Sequence, residues 1–121
     1  MDKNLNTVNV NGVELKYSWF DMAMRKRYIE AAAKYAKAIN DLNAGVPDDL
    51  DENQEIDYYT KVCEFTFKLF DETFGKGTAD KVFGGQHDFI VCSDAVHALK
   101  DSRLKQQKYV EQLSADVNID K

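Results

Sequence analysis

Apolar and polar residues alternate along TVNV-NG-VELKYS, near the start of this chain, and Asn11-Gly12 interrupts the alternation. Two alternating runs around an Asn-Gly pair predict a β-hairpin over residues 6–18 closed by a type I′ turn. In that register Val10 faces Val13, Val8 faces Leu15 and Asn6 faces Tyr17. Val8, Val10, Val13, Leu15 and Tyr17 then share one face, and Thr7, Asn9, Glu14 and Lys16 the other. A lone two-stranded hairpin is marginal in water, so the apolar face calls for a covering helix or for strands from another copy.

From residue 21 the period lengthens to that of helices. Asp21 caps a helix reaching about Asn43, with Gly45 placed to end it and Pro47 to stop its continuation. Its apolar line runs Tyr28, Ala32, Tyr35, Ile39, Leu42. A second helix is predicted over about Asp51–Phe74, its acidic start suited to the positive end of the dipole. Two adjoining stripes (Ile56, Tyr59, Cys63, Phe67, Phe70, Phe74 and Tyr58, Val62, Phe65, Leu69) mark it as the spine of the core.

Gly75 then stops that helix, Thr78 caps a short turn over Ala79–Phe83, and Gly84-Gly85 end the turn. A last helix is expected from about Asp88 to Leu113. Phe89, Cys92, Val96 and Leu99 line its first half, and Val110 and Leu113 continue thinly across Arg103 and Gln106. The pattern predicts a single α+β domain over residues 1–121, mostly α. It comprises a hairpin (6–18), a helical part (21–113) of three main helices plus one short helical turn, and a flexible tail (114–121).

Composition narrows the classes. With 121 residues, 44% apolar and 12% aromatic, there is material for one core. A net charge of −5 argues against bulk electrostatic binding to nucleic acid or anionic membranes. No run approaches the roughly 20 apolar residues that span a bilayer, and MDKNLNTVNV lacks the apolar core of a secretory signal. Cys63 and Cys92, far apart in sequence, read as reduced thiols. The expected location is the cytoplasm.

Several residue sets invite chemistry and fail on spacing. Ser93 and His97 share a helix face, but Asp94 points about 100° away. His87, His97, Cys63 and Cys92 match no metal motif. GKGT at Gly75–Thr78 echoes a phosphate loop, yet Gly77 stands where Ser or Thr should follow Lys76. The acidic 48–57 segment lacks the central glycine of a calcium loop. The expectation is therefore no enzyme, with no catalytic, cofactor or metal site. Arg25-Lys26-Arg27 is the one basic cluster, set in the first turns of a helix where positive charge is mildly unfavourable. The default reading is a solvated face; the alternatives are a nucleic acid, or an acidic protein surface such as residues 48–57 of another copy.

The NGV hairpin turn, the YSWFDM entry to an alanine-rich helix and the KLFDETFGKGTADKVFGG corner resemble short proteins encoded by tailed phages and prophages of Gram-positive bacteria, among their tail genes. The resemblance covers most of residues 6–100, and the corner is its specific part, carried by Phe70, Phe74, Gly75, Gly77, Thr78, Phe83 and Gly84. It implies a tail assembly chaperone, a protein that holds the tape measure protein and recruits tail tube subunits. No catalytic residues transfer. The implied protein is a homo-oligomer working through contacts with other proteins, off the membrane and with nucleic acid an improbable partner. The alternatives are a small regulatory or nucleic-acid-associated phage protein and a minor virion component. The surfaces expected to carry contacts are the hairpin face (Val8, Val10, Val13, Leu15, Tyr17), with Trp19 and Phe20 at its exit. To these are added Arg25, Lys26 and Arg27, and the final helix from Lys100 with Leu104, Tyr109 and Val110.

Overall fold

The computed structural model describes residues 5–119, with side chains through residue 115. Two strands, β1 (Thr7–Val10) and β2 (Val13–Lys16), precede helices α1 (Met22–Ala44), α2 (Glu52–Phe74), α3 (Thr78–Phe83) and α4 (Phe89–Ile119). This is the expected α+β layout. One boundary differs, because α4 runs past Leu113 to Ile119. Residues 120–121 of the expected tail lie outside the described residues.

The hairpin has the register its alternation dictates, with Val8 opposite Leu15 and Val10 opposite Val13. Asn11 (φ 51) and Gly12 (φ 81) both take positive φ, as a type I′ turn requires. The Tyr17 N–H donates to the Asn6 carbonyl at 2.9 Å, extending the pairing one step. Asn11 also donates through Nδ2 to the Val82 carbonyl at 2.7 Å, tying the turn to α3. Helix α4 covers the apolar face, so the hairpin is completed from within the chain.

Helices α1 and α2 form an antiparallel pair. Asp21 accepts from the Ala23 and Met24 N–H groups, and Asp51 forms a full capping box with Gln54. Tyr58 near the start of α2 donates to Asn43 at the end of α1 (2.6 Å), while Arg27 near the start of α1 donates to the Thr73 carbonyl (3.3 Å). Helix α2 is the spine expected of it only from Val62 onward, where Val62, Cys63, Thr66, Leu69, Phe70 and Thr73 are buried.

The corner between α2 and α3 uses its glycines as stops: Gly75 caps α2 at φ 116, ψ 152, and Gly84 caps α3 in the left-handed region. Phe70 and Phe83 are buried with ring centroids 5.3 Å apart, and Phe74 sits 5.6 Å from Phe70. The start of α3 departs from expectation. Gly77 holds the N-cap position, and the Thr78 hydroxyl donates to the Gly75 carbonyl at 2.7 Å. The capping acceptor comes from the preceding helix, where Asp71 Oδ1 takes the Ala79 N–H at 2.8 Å. A residue eight positions upstream, folded back over the glycine stop, outcompetes the local hydroxyl.

Candidate functional site

Burial separates the expected contact residues into two groups. Val8, Val10 and Tyr17 are buried, and Val13 and Leu15 are half-buried against the same core. The hairpin face is therefore occupied inside the chain and offers no open surface for self-association, which corrects the expectation that it mediates an oligomer. Tyr17 packs edge-on to Tyr28 and against Phe74, each at 5.8 Å. Burial raises its phenol well above the ordinary value.

The exit of the hairpin is an aromatic–cation cluster. Trp19 is half-buried, with the Arg25 guanidinium 4.8 Å and the Arg103 guanidinium 5.2 Å from its ring centroid. Arg25 also lies 4.8 Å from the partly exposed Phe20 ring and donates through Nε to the Trp19 carbonyl at 2.6 Å. Arg27 is held to Thr73. Two of the three basic residues thus find their partners within the chain, and Lys26 projects into solvent. Arginine at a helix start is accounted for by the aromatic segment just before it, a signal that lay in the adjacency of Trp19-Phe20 and Arg25.

The surface that sequence reasoning missed lies at the other end of the α1–α2 pair. Ile56, Tyr59 and Phe89 were assigned to buried stripes, yet Ile56 is 62% exposed, Phe89 41% and its neighbour Ile90 71%. The Tyr59 and Phe89 rings meet at 4.7 Å, tilted 54° to each other, and Tyr58 meets Tyr59 edge-on at 5.3 Å. Beside them is a depression of about 430 Å³ lined by Glu52, Glu55, Ile56, Tyr59, Thr60 and His87. An apolar groove of about 480 Å³ on the other side of Tyr59 runs between α1 and α2 past Ile39 and Tyr58. The run of carboxylates from Asp48 to Asp57 was the available sign, because a helix start so charged does not enter a core.

On the distal half of α4, Leu104 is exposed and Tyr109 and Val110 are half-buried. The core continues along this helix through Cys92, Ala95, Leu99, Ser102 and Gln106, at spacings of three and four. Two of those positions are polar, and this breaks the apolar line on which the sequence pattern depends. Gln106 donates to the Tyr17 carbonyl (2.7 Å) and to Ser102 Oγ (3.1 Å), and accepts the Trp19 N–H (2.8 Å).

The residue sets that invited chemistry have structural placements. His97 Nδ1 lies 2.8 Å from the backbone carbonyl of Ser93, and Asp94 is exposed. His87 Nε2 is 3.5 Å from Glu64, with its ring 5.0 Å from Phe67. Cys63 and Cys92 are buried free thiols in contact where α2 meets α4. Burial pushes both up, Cys92 to about 12 with its hydrogen bond to Cys63 adding to the rise. No helix is long and apolar enough to cross a membrane among the described residues.

Residues 11–118 match the model of a family described as a family of unknown function (DUF6673). No curated protein and no solved structure matches the chain.

Proposed function

We propose that this chain, which belongs to the DUF6673 family of unknown function, is a non-enzymatic accessory protein of a phage or prophage tail module. In this reading it is a tail-assembly chaperone acting through protein–protein contacts in the host cytoplasm, with tape measure and tail tube proteins as its clients. The observation that carries the reading is the display of large apolar side chains on regular helices. Ile90, Ile56, Met22 and Ile29 are all more than half exposed on a chain whose core is already closed. Met22 and Ile29, seven positions apart, share one face of α1, and exposed apolar side chains grouped on a regular element are what a contact surface presents. The resemblance of the corner and hairpin motifs to phage tail-module proteins supplies the setting. The internal partners of Arg25 and Arg27 leave the nucleic-acid reading with Lys26 alone, and it is not advanced.

The client surface on α4 is best probed by substitution. Removing residues 101–121 would take Ser102 and Gln106 out of the core, whereas Leu104→Glu changes an exposed position. The experiment is deletion of the gene from the phage or prophage that encodes it, followed by electron microscopy of the induced lysate. Capsids without full-length tails are expected, with rescue by the wild-type gene and weaker rescue by Leu104→Glu. Normal tailed particles in the deletion overturn the reading.

A further inference from the structure

Two cations share one aromatic ring at the hairpin exit, and neither has a counter-ion. Arg25 comes from the first turns of α1 and Arg103 from the middle of α4. Their guanidiniums lie 4.8 and 5.2 Å from the Trp19 ring centroid. Among the described residues, neither arginine is in an ion pair. Like charges this close repel, and both residues are half-buried, which leaves less water to screen them. The indole attracts each cation but does not neutralise it.

The neighbouring carboxylates of the chain are in use or turned away. Asp21 caps α1, its Oδ1 accepting the Ala23 and Met24 N–H groups. Glu30 stands about 140° around α1 from Arg25, and Asp101 about 160° around α4 from Arg103. The donors left over point to an acceptor from outside. Arg25 uses Nε on the Trp19 carbonyl and its flat face on the Trp19 and Phe20 rings, so its Nη groups remain. Arg103 Nε is buried without a hydrogen-bond partner among the described residues. Its charge can therefore be met only at the outer, Nη edge.

We propose that the Arg25–Trp19–Arg103 cluster binds an acidic segment of a partner protein, whose carboxylates pair with the Nη edges of the two arginines. The planar guanidinium fork matches a carboxylate in bidentate fashion. Partly exposed Phe20 lies under Arg25, and exposed Met22 stands one turn before Arg25 on the same helix face. Both offer apolar contact beside the charges. A free anion gains nothing from those contacts, and the net charge of −5 repels it at long range. A nucleic acid meets the same field and needs more phosphate contacts than two arginines supply. A protein segment combines carboxylates with apolar side chains, so that the apolar contacts supply affinity and the charges set orientation. The inference rests on the reading of this chain as a contact protein and gives the chemistry of one partner.

Trp19 is the only tryptophan of the chain, so its fluorescence reports on the site directly. The test titrates the full chain at low salt with an amphipathic peptide of glutamate and leucine that contains no tryptophan. A saturable change in Trp19 emission is expected, with affinity falling as salt is raised. Replacing the peptide's glutamates by glutamine leaves the protein untouched and should weaken binding about tenfold or more. Arg25→Gln and Arg103→Gln should each weaken it to a similar degree, with helicity and the urea midpoint confirming that the variants stay folded. Unchanged Trp19 emission, equal binding of the glutamine peptide, or undiminished binding by both folded arginine variants would each overturn the proposal. So would inorganic phosphate saturating the site while the peptide leaves it unchanged, which would assign the cluster to a free oxyanion. The two readings fail separately. Peptide binding at Trp19 in a chain dispensable for tails sinks the functional reading alone, and a chain required for tails that binds no acidic peptide sinks the site alone.

Discussion

Gln106 reaches across the core to Tyr17: its side-chain N–H donates to the Tyr17 carbonyl at 2.7 Å, and its oxygen accepts the Trp19 N–H at 2.8 Å. One amide side chain closes two backbone groups where the chain leaves the sheet and has not yet entered α1. Both ends of that segment would otherwise be left without partners on the buried side.

Replacing Gln106 by Ala is therefore expected to cost about 2–4 kcal/mol, since each buried backbone group left unsatisfied costs roughly 1–3 kcal/mol. The urea midpoint measures it. A loss under about 0.5 kcal/mol would mean that water replaces the amide at both groups.

Tyr17→Phe should act in the opposite sense. The Tyr17 hydroxyl is buried with no hydrogen-bond partner among the described residues, and its ring packs on Tyr28 and Phe74. Removing the hydroxyl keeps the ring contacts and relieves a desolvated polar group, a gain of about 1 kcal/mol. Destabilisation in the same urea experiment would show that the hydroxyl has a partner, such as a buried water.

At the corner, Asp71→Ala should destabilise more than Thr78→Ala. Asp71 satisfies the Ala79 N–H at the start of α3, and loss of such a cap costs about 1 kcal/mol. The Thr78 hydroxyl donates to an exposed carbonyl that water can serve instead. Equal or reversed losses would return the capping role to Thr78.

The thiols give a pH signature. Burial raises Cys92 to about 12 and Cys63 upward from 9.0. Folding therefore favours their neutral forms, an advantage fully present below pH 9 and lost as pH climbs from 9 toward 12. Denaturant midpoints should fall over that window, and Cys92→Ala should flatten the fall. At pH 8 both thiols should resist a disulfide-exchange reagent until the chain is unfolded; rapid labelling of the native protein would show an open α2–α4 contact.

Most of the architecture was legible because it is local. Alternation around Asn11-Gly12 specified the hairpin register, and Asp21, Asp51, Gly75 and Gly84 marked helix ends. What escaped was set by tertiary competition. The rest of the α4 core stripe was hidden because Ser102 and Gln106 are polar, and such residues are buried only when a distant backbone segment needs them. The Thr78 cap was displaced by Asp71, which the glycine stop folds back toward α3. Tyr59 and Phe89 were placed in the core on period alone, while the carboxylates around Ile56 kept that end of α2 in water. The exposure of Met22, Ile29 and Ile56 was illegible for the same reason, since period identifies an apolar stripe but not whether anything covers it.

The bond from Gln106 to Tyr17 spans 89 residues, and this bears on how the protein is made. The hairpin leaves the ribosome well ahead of the helix that covers it. At cellular rates of about 5–20 residues per second, the strands wait roughly 4–18 s with their apolar face open. An isolated hairpin is at best marginally stable over that interval. Commitment to the native state is therefore deferred until α4 has been made, and a chain stalled before residue 106 presents an uncovered sheet to the cell's chaperones and proteases.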